Sequence, residues 1–230
     1  MFDRVVKLIG EDNFKKIQSK TVCVVGLGGV GGYAVEGLVR SGISKLILVD
    51  YDRVDVTNLN RQIISNQNNI HCYKTDEAET RVKDINPLCE VVKLNIKLDE
   101  SNINELFQHE FDYLIDACDT IVVKELLIKL CLENNIKIIS SMGTGNKIHP
   151  DALEIIDIRK TSYDPIAKKI RKYLNDEHIY DKVMVVCSKE QGNKFQGSIP
   201  SMMFVPATSG IMCANYVICD IIEKNRKFLD

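Results

Sequence analysis

The chain contains no tryptophan, and aromatic residues make up only 7% of it. Five prolines in 230 residues are too few for a proline-rich linker or any other low-complexity tract. Charge of one sign is also missing: 30 Lys+Arg stand against 32 Asp+Glu, a formal net charge of -2. No global basic field advertises a polyanion, so any site for nucleic acid must be a local patch. Eight cysteines are present, but no two are spaced Cys-x-x-Cys, the arrangement a zinc ribbon or a dithiol redox motif requires. No zinc is expected. No uninterrupted apolar run reaches the length of a membrane span, and residues 1–10 lack the apolar stretch of a secretory signal. These absences predict a cytoplasmic protein with reduced thiols. Hydrophobic residues, at 45%, suffice to bury a core as one domain with a modest extension.

Short runs rich in Val, Ile and Leu read as strands at Thr21–Val25, Lys45–Val49, Glu90–Asn95, Tyr113–Ala117, Lys137–Ser141, Leu153–Ile158 and Val183–Cys187. Helical patterns lie between the early ones, at Gly29–Ser41, Asp76–Ile85 and Ile121–Asn134. Strand, helix and strand in succession predict an α/β fold with a Rossmann-like, doubly wound, mostly parallel sheet. Phe2–Ser19 reads as an N-terminal helical arm, and Thr208–Glu223 as a C-terminal helix with Thr and Ser available as caps. The polar stretch Gln191–Ser201, with Gly192, Gly197 and Pro200, reads as a mobile loop. The expected organisation is an arm over 1–19, a nucleotide-binding core over 20–150 and an extension over 151–230.

The first strand runs into Gly26, Leu27, Gly28, Gly29, Val30 and Gly31, and the second ends at Asp50. Glycines permit a tight turn close to a phosphate, the following helix offers unpaired N–H groups, and an acid about 20 residues on can accept from ribose hydroxyls. The fingerprint alone admits a nicotinamide cofactor, ATP or a ligand-free turn. Residues downstream favour ATP: Asp52, Asn58, Arg61, Gln62 and Lys74 place an amide, a guanidinium and an ammonium after the second strand. A hydride-transfer site needs an apolar face instead, whereas attack on an α-phosphate needs cations to neutralise phosphoryl oxygens and leaving pyrophosphate. Asp116 and Asp119 close the fourth strand, where ligands of open α/β sheets gather. Asp119 is the candidate carboxylate for Mg²⁺, an ion that keeps most of its waters; the alternative role for it is a helix cap.

In order and spacing, Gly26-x-Gly28-Gly29-x-Gly31, Glu36-x-x-x-Arg40-Ser41-Gly42, Asp50-x-Asp52, Asn58-x-x-Arg61-Gln62, Lys74 and Asp116-x-x-Asp119 resemble the ThiF/MoeB superfamily, relatives of ubiquitin-activating enzymes. The resemblance covers roughly residues 20–145. It implies ATP- and Mg²⁺-dependent adenylation of a carboxylate by a homodimer, with Asp50 on the ribose, Asn58, Arg61 and Lys74 on the phosphates, and Asp119 on the metal. Ser140 to Lys147, then Pro150 and the run Asp157 to Thr161, look like the tRNA threonylcarbamoyladenosine dehydratase branch, as does Leu8-Ile9-Gly10-Glu11. That branch activates the carboxylate of a threonylcarbamoyl group on tRNA, which then cyclises with loss of AMP; a sulfur-relay protein is a possible further partner. One departure is His71-Cys72-Tyr73-Lys74, where family members often carry two lysines. The missing Cys-x-x-Cys pairs set the chain apart from relatives that serve sulfur-carrier proteins.

Asp164-Pro165 reads as a cap followed by proline at the first helical position. Ile166, Ala167, Ile170, Tyr173 and Leu174 then share one face, and Lys168, Lys169, Arg171 and Lys172 the other. With Lys160 they form a local basic patch, either an RNA phosphate contact or an ordinary solvated face. Arg4, or Lys7, is a candidate to reach the triphosphate from the arm, as an N-terminal arginine does in similar enzymes. Cys187 and Cys213 are the thiols to weigh as nucleophiles, against a core role among Val, Ile and Met. Two rival functions remain: adenylation of the C-terminus of a ubiquitin-like sulfur carrier, and nucleotide sensing without turnover.

Overall fold

The computed structural model describes residues 1–193 and 195–223; residue 194 of the expected loop, and residues 224–230 of the expected extension, lie outside the described residues. The chain runs through α1 (Asp3–Ile9), α2 (Glu11–Gln18), β1 (Thr21–Val25), α3 (Gly31–Ser41), β2 (Lys45–Val49), α4 (Lys74–Ile85), β3 (Glu90–Leu94), α5 (Ile103–Leu106) and β4 (Tyr113–Asp116). It continues with α6 (Ile121–Glu133), β5 (Lys137–Ser141), β6 (Leu153–Asp157), α7 (Pro165–Asp176), β7 (Met184–Ser188) and α8 (Phe204–Ile221). The sheet order is β3-β2-β1-β4-β5-β7-β6. Every pairing is parallel except β6 against β7.

Alternate residues of the central strands feed two separate cores. Val22, Val24, Leu46, Leu48, Tyr113 and Ile115 face a layer with α3 and α8, while Cys23, Val25, Ile47, Val49 and Leu114 face one with α6 and α7. Burial on both faces explains why these strands read as unbroken apolar runs rather than as alternating ones. On one edge β1 continues to β2 and β3; on the other β4 leads to β5. The chain reverses direction across the sheet between β1 and β4, so a crevice opens at their carboxyl ends. Gly26 makes that crevice tight. Its φ is 88°, and a Cβ there would sit 2.7 Å from the carbonyl oxygen of Ala117 in the turn after β4.

Several expectations are adjusted. The N-terminal arm is two helices, divided where Gly10 takes φ 84°. The C-terminal helix begins at Phe204 rather than Thr208, and its start has no side-chain cap. Thr208 and Ser209 are therefore interior. Pro206 falls in the first turn, where no N–H partner is lost. This helix is also a correction to the expectation about apolar runs: it spans 18 residues with mean hydropathy 1.3, long and apolar enough to cross a membrane by composition. Half of it is buried, chiefly against α3, which is how the core helix of an α/β domain acquires that composition. The short α5 had no clear signal in the sequence.

Because alanine at position 26 meets both an unfavourable φ and the Ala117 carbonyl, Gly26→Ala should destabilise the fold by about 1–3 kcal/mol. A urea unfolding midpoint equal to that of the parent chain would show that the β4 turn yields instead.

Candidate active site

A cavity of about 400 Å³ lies at the carboxyl ends of β1, β2, β4 and β5. Its lining includes Gly26, Gly28, Gly29, Asp50, Asp52, Asn58, Arg61, Lys74 and Asp119, so most of the residues singled out in the sequence meet around one space. Gly31 does not line it. A Cβ at Gly31 would overlap the carbonyl oxygen of Gly26, so this glycine lets the turn and α3 close on each other.

Asp50 directly follows β2, with its carboxylate buried. It accepts from the amides of Leu27 at 2.6 Å and Asp52 at 2.8 Å, and so ties the glycine turn to the second strand. Burial pushes its carboxyl up from the ordinary aspartate value, against the lowering pull of Lys74 and the two amides. From Asp50 the chain makes a long excursion before α4, which is closed by hydrogen bonds from Val54 N to Cys72 O and from His71 N to Val54 O. Arg53 stacks over the ring of Tyr73 at its base. That closure brings Lys74, the first residue of α4, back to Asp52, with 2.8 Å between ammonium and carboxylate.

Within the excursion a short 3₁₀ turn, Val56–Asn58, is capped by Asp55. Asn58 Oδ1 accepts from Asp55 N at 3.0 Å, which leaves its amide nitrogen as the end able to serve a ligand. Arg61 donates to Thr57 O at 2.8 Å and to Asn60 Oδ1 at 2.9 Å. Its guanidinium has five N–H donors and is held beside the cavity rather than locked in it. Gln62 also lines the cavity, and its Oε1 is buried without a partner among the described residues.

A residue the sequence reading missed lies beneath the cavity. Lys124 of α6 is 1% exposed and pairs at 3.0 Å with Asp116, which is fully buried. The ammonium also donates to Ser140 Oγ and to Ser141 O, and Ser140 donates to the same carboxylate oxygen of Asp116. The other oxygen takes the Cys118 amide and thiol. Burial pulls the lysine pKa down, but the Asp116 charge outweighs it and the net shift is upward. The lysine therefore stays charged. One signal was legible: Lys124 falls on the same helical stripe as Leu127, Ile128 and Cys131, all buried, where a lysine is tolerated only with a buried partner.

Asp119 is exposed at the cavity mouth and accepts from Thr120 Oγ1 at 3.4 Å. The far wall is made by Ser141, Met142, Gly143, Thr144 and Gly145, with Ile166, Ile199, Ser201 and Pro206. Arg4, Lys160, Lys168, Lys169, Arg171 and Lys172 lie off the cavity. Lys160, Lys168, Lys169 and Lys172 are exposed, as is Arg4 on α1. Arg171 is occupied differently, donating to Thr161 O at 3.1 Å and to the Thr161 hydroxyl. The thiols weighed as nucleophiles are buried, and burial pushes both Cys187 and Cys213 up to about 12. Neither is a thiolate near neutral pH. Glu36 and Arg40 do pair, at 2.6 Å, and Glu36 also binds Arg81 of α4 at 2.6 Å.

Removing Lys124 alone strands a buried carboxylate, so Lys124→Met should cost about 3–5 kcal/mol. Adding Asp116→Asn removes the stranded charge and should recover part of that loss. Chemical denaturation of the two single variants and the double measures the coupling; additive effects would show that the pair is not the constraint.

The ThiF family pattern matches residues 2–214. A tRNA threonylcarbamoyladenosine dehydratase from Bacillus subtilis (strain 168) is 39% identical over 240 aligned residues, spanning 96% of this chain and 94% of that protein. Among solved structures, the E. coli tRNA N6-threonylcarbamoyladenosine dehydratase TcdA in complex with AMP superimposes with a TM-score of 0.91 at 32% identity, over 96% of this chain and 93% of that one. The same enzyme in complex with ATP gives 0.91 at 31% identity, over 97% and 94%. The breadth of the family match and the identity to these relatives establish that the chain belongs to the ThiF family.

Proposed function

We propose that this chain dehydrates threonylcarbamoyladenosine in tRNA at the expense of ATP, by adenylating the threonylcarbamoyl carboxylate so that it cyclises. The observation that carries the reading is a single cavity with two unlike walls. One presents the glycine turn, Asp50, Asn58, Arg61 and Lys74; the other is the 141–145 segment. It occurs in a chain that aligns along almost its whole length with a dehydratase solved with ATP.

In this reading Asp50 accepts from the ribose. The glycine-turn amides, Asn58, Arg61 and Lys74 hold the phosphates and offset the charge that develops as pyrophosphate leaves. The substrate carboxylate forms a bond to the α-phosphorus as the bond to pyrophosphate breaks. A nucleophilic group within the substrate then bonds to the acyl carbon as the acyl–oxygen bond breaks; that group gives up its proton to solvent and the departing oxygen leaves on AMP, so the nucleoside has lost one water. The attacking group is tethered at high effective concentration. No enzyme nucleophile is needed, in keeping with the protonated Cys187 and Cys213.

Asp119 is the residue that would hold Mg²⁺. The described residues contain no cluster of three His, Cys, Asp or Glu able to bind a metal, and one exposed carboxylate facing a triphosphate suits a hard ion that keeps its waters. Bound there, the ion would neutralise phosphate charge. Lys160, Lys168, Lys169 and Lys172 supply an exposed basic face for the tRNA backbone, with Arg171 beneath it and Arg4 on the arm as a further candidate. RNA recognition of this kind rests on shape and phosphate contact, with the modified base splayed into the cavity. The remaining parts of the proposal are one adenylating domain of 1–230, with arm 1–19, core 20–150 and an RNA-binding and dimer-forming extension 151–230, working as a cytoplasmic homodimer open to a sulfur-relay partner.

The direct test is incubation with ATP, Mg²⁺ and tRNA bearing the modification, followed by nucleoside mass analysis. Loss of one water is expected, and Lys74→Met or Arg61→Ala should slow it by about 10²-fold. No mass change with tRNA, combined with pyrophosphate exchange stimulated by a carrier protein ending in Gly-Gly, would replace the reading with the rival one.

Asp50 predicts a pH dependence. Its raised carboxyl takes up a proton at a pH where a free aspartate is still ionised, so ATP affinity that needs the carboxylate is present at neutral pH and lost on acidification. That loss should begin above the ordinary aspartate value of about 3.9. Asp50→Asn should bind ATP more weakly and lack this acid limb; an identical limb in the variant would assign it to another group.

A further inference from the structure

The segment Ser141 to Gly145 is a wall of the cavity, yet nothing in the adenylation scheme explains how it is built. Two buried lysines grip its backbone. Lys124 donates to Ser141 O at 2.8 Å. Lys147 donates to Gly143 O and, at 3.1 Å, to Asp164 Oδ2. The Lys147 side chain is 6% exposed and that of Asp164 fully buried. A third tie runs from Asn146 N to Pro200 O at 2.7 Å.

The two lysines take up the carbonyls of Ser141 and Gly143. Among the described residues, none accepts a hydrogen bond from the amides of Thr144 or Gly145, and both residues are half-exposed where they line the space. Successive free amides that converge on one space can bind an anion. The wall carries no free cation, because the Lys147 ammonium is spent on Gly143 and Asp164. Neutral donors suit a carboxylate that must remain nucleophilic, whereas the cationic wall across the cavity suits phosphates.

Asp164 serves a second purpose. Its Oδ1 caps α7 by accepting from Ile166 N and Ala167 N, each at 2.9 Å, and Ile166 itself lines the cavity. A Cβ on Gly143 would lie 3.0 Å from Asp164 Oδ2, so the wall and the start of α7 are in direct contact. The helix carrying Lys168, Lys169 and Lys172 outward is thereby joined to the wall through one carboxylate. An apolar pair of similar volume would usually serve stability as well or better; what this ion pair adds is a fixed geometry between the Gly143 carbonyl and the start of α7.

We infer that Lys147 is a positioning residue: through Gly143 O and Asp164 it fixes the Thr144–Gly145 donors, which receive the substrate carboxylate, relative to the helix that meets the RNA. The inference rests on the dehydratase reading and adds the carboxylate subsite and its support. A misplaced wall misaligns carboxylate and α-phosphate, and misalignment of about 1 Å can lower a rate by about 10²-fold.

The test uses the full chain with modified tRNA, measuring kcat, KM for tRNA, ATP affinity and thermal midpoint for Lys147→Met, Lys147→Arg and the Lys147→Met/Asp164→Asn double. In Lys147→Met, kcat should fall at least about tenfold, while ATP affinity stays within about twofold and KM for tRNA changes by less than about threefold. Lys147→Arg, which keeps the charge and the donors, should return at least a third of the parent kcat. If Lys147→Met does not fold, the double variant, free of a stranded charge, must show the same split. A kcat within twofold of the parent, or an ATP affinity that falls as far as kcat, overturns the inference and leaves the dehydratase reading standing. Absence of turnover by the parent chain overturns both.

Discussion

The carboxylate of Asp116 is the constraint on which the cavity depends. It sits at the end of β4, fully buried, and each of its oxygens has a separate task. One takes Lys124 and Ser140, drawing α6 and β5 onto the strand. The other takes the Cys118 amide, setting the turn that carries Asp119. Gly26 packs against the same turn, so the glycine turn after β1 and the acid-bearing loop of β4 share one support. An unpaired charge buried here would be costly, and Lys124, Ser140 and the Cys118 amide together satisfy it.

Above that support the cavity divides its chemistry by wall. Cations come from Arg61 in the excursion after β2, from Lys74 at the start of α4, where it meets Asp52, and from Lys97 after β3. Neutral donors come from the loop after β5, where a second buried Lys–Asp pair absorbs the positive charge before it reaches the space. The two lysines resemble each other in burial and in gripping a backbone carbonyl, yet one is anchored to the sheet and the other to α7. This arrangement gives the extension beyond β5 a structural route into the cavity that does not pass through the glycine turn.

Much of the site was legible as spacing. The glycines, Asp50, Asn58, Arg61, Lys74 and Asp119 all fall at the ends of strands or in the excursion between β2 and α4, and a parallel sheet brings strand ends together whatever the details of packing. Lys124 is not distinguished by spacing, because periodicity marks the buried stripe of α6 but not the partner that one lysine in it finds. Arg171 was counted with the exposed lysines because helical periodicity gives its side of the helix, not that its guanidinium would turn back onto Thr161. The C-terminal helix began four residues earlier than its polar caps suggested, since packing against α3 rather than a cap fixes where it starts.

By itself, then, the amino-acid order determined the alternation of strands and helices, the glycine turn and the acid that follows it, because these rest on local backbone freedom and on periodic burial. Only the tertiary structure decided that Ile199, Ser201 and Pro206 join the same cavity, that Lys124 and Lys147 each find an aspartate, and that the carbonyls of Ser141 and Gly143 are taken by those two lysines. Those outcomes depend on contacts between residues far apart in the chain, where the desolvation of a charge, and not a spacing in sequence, selects the partner.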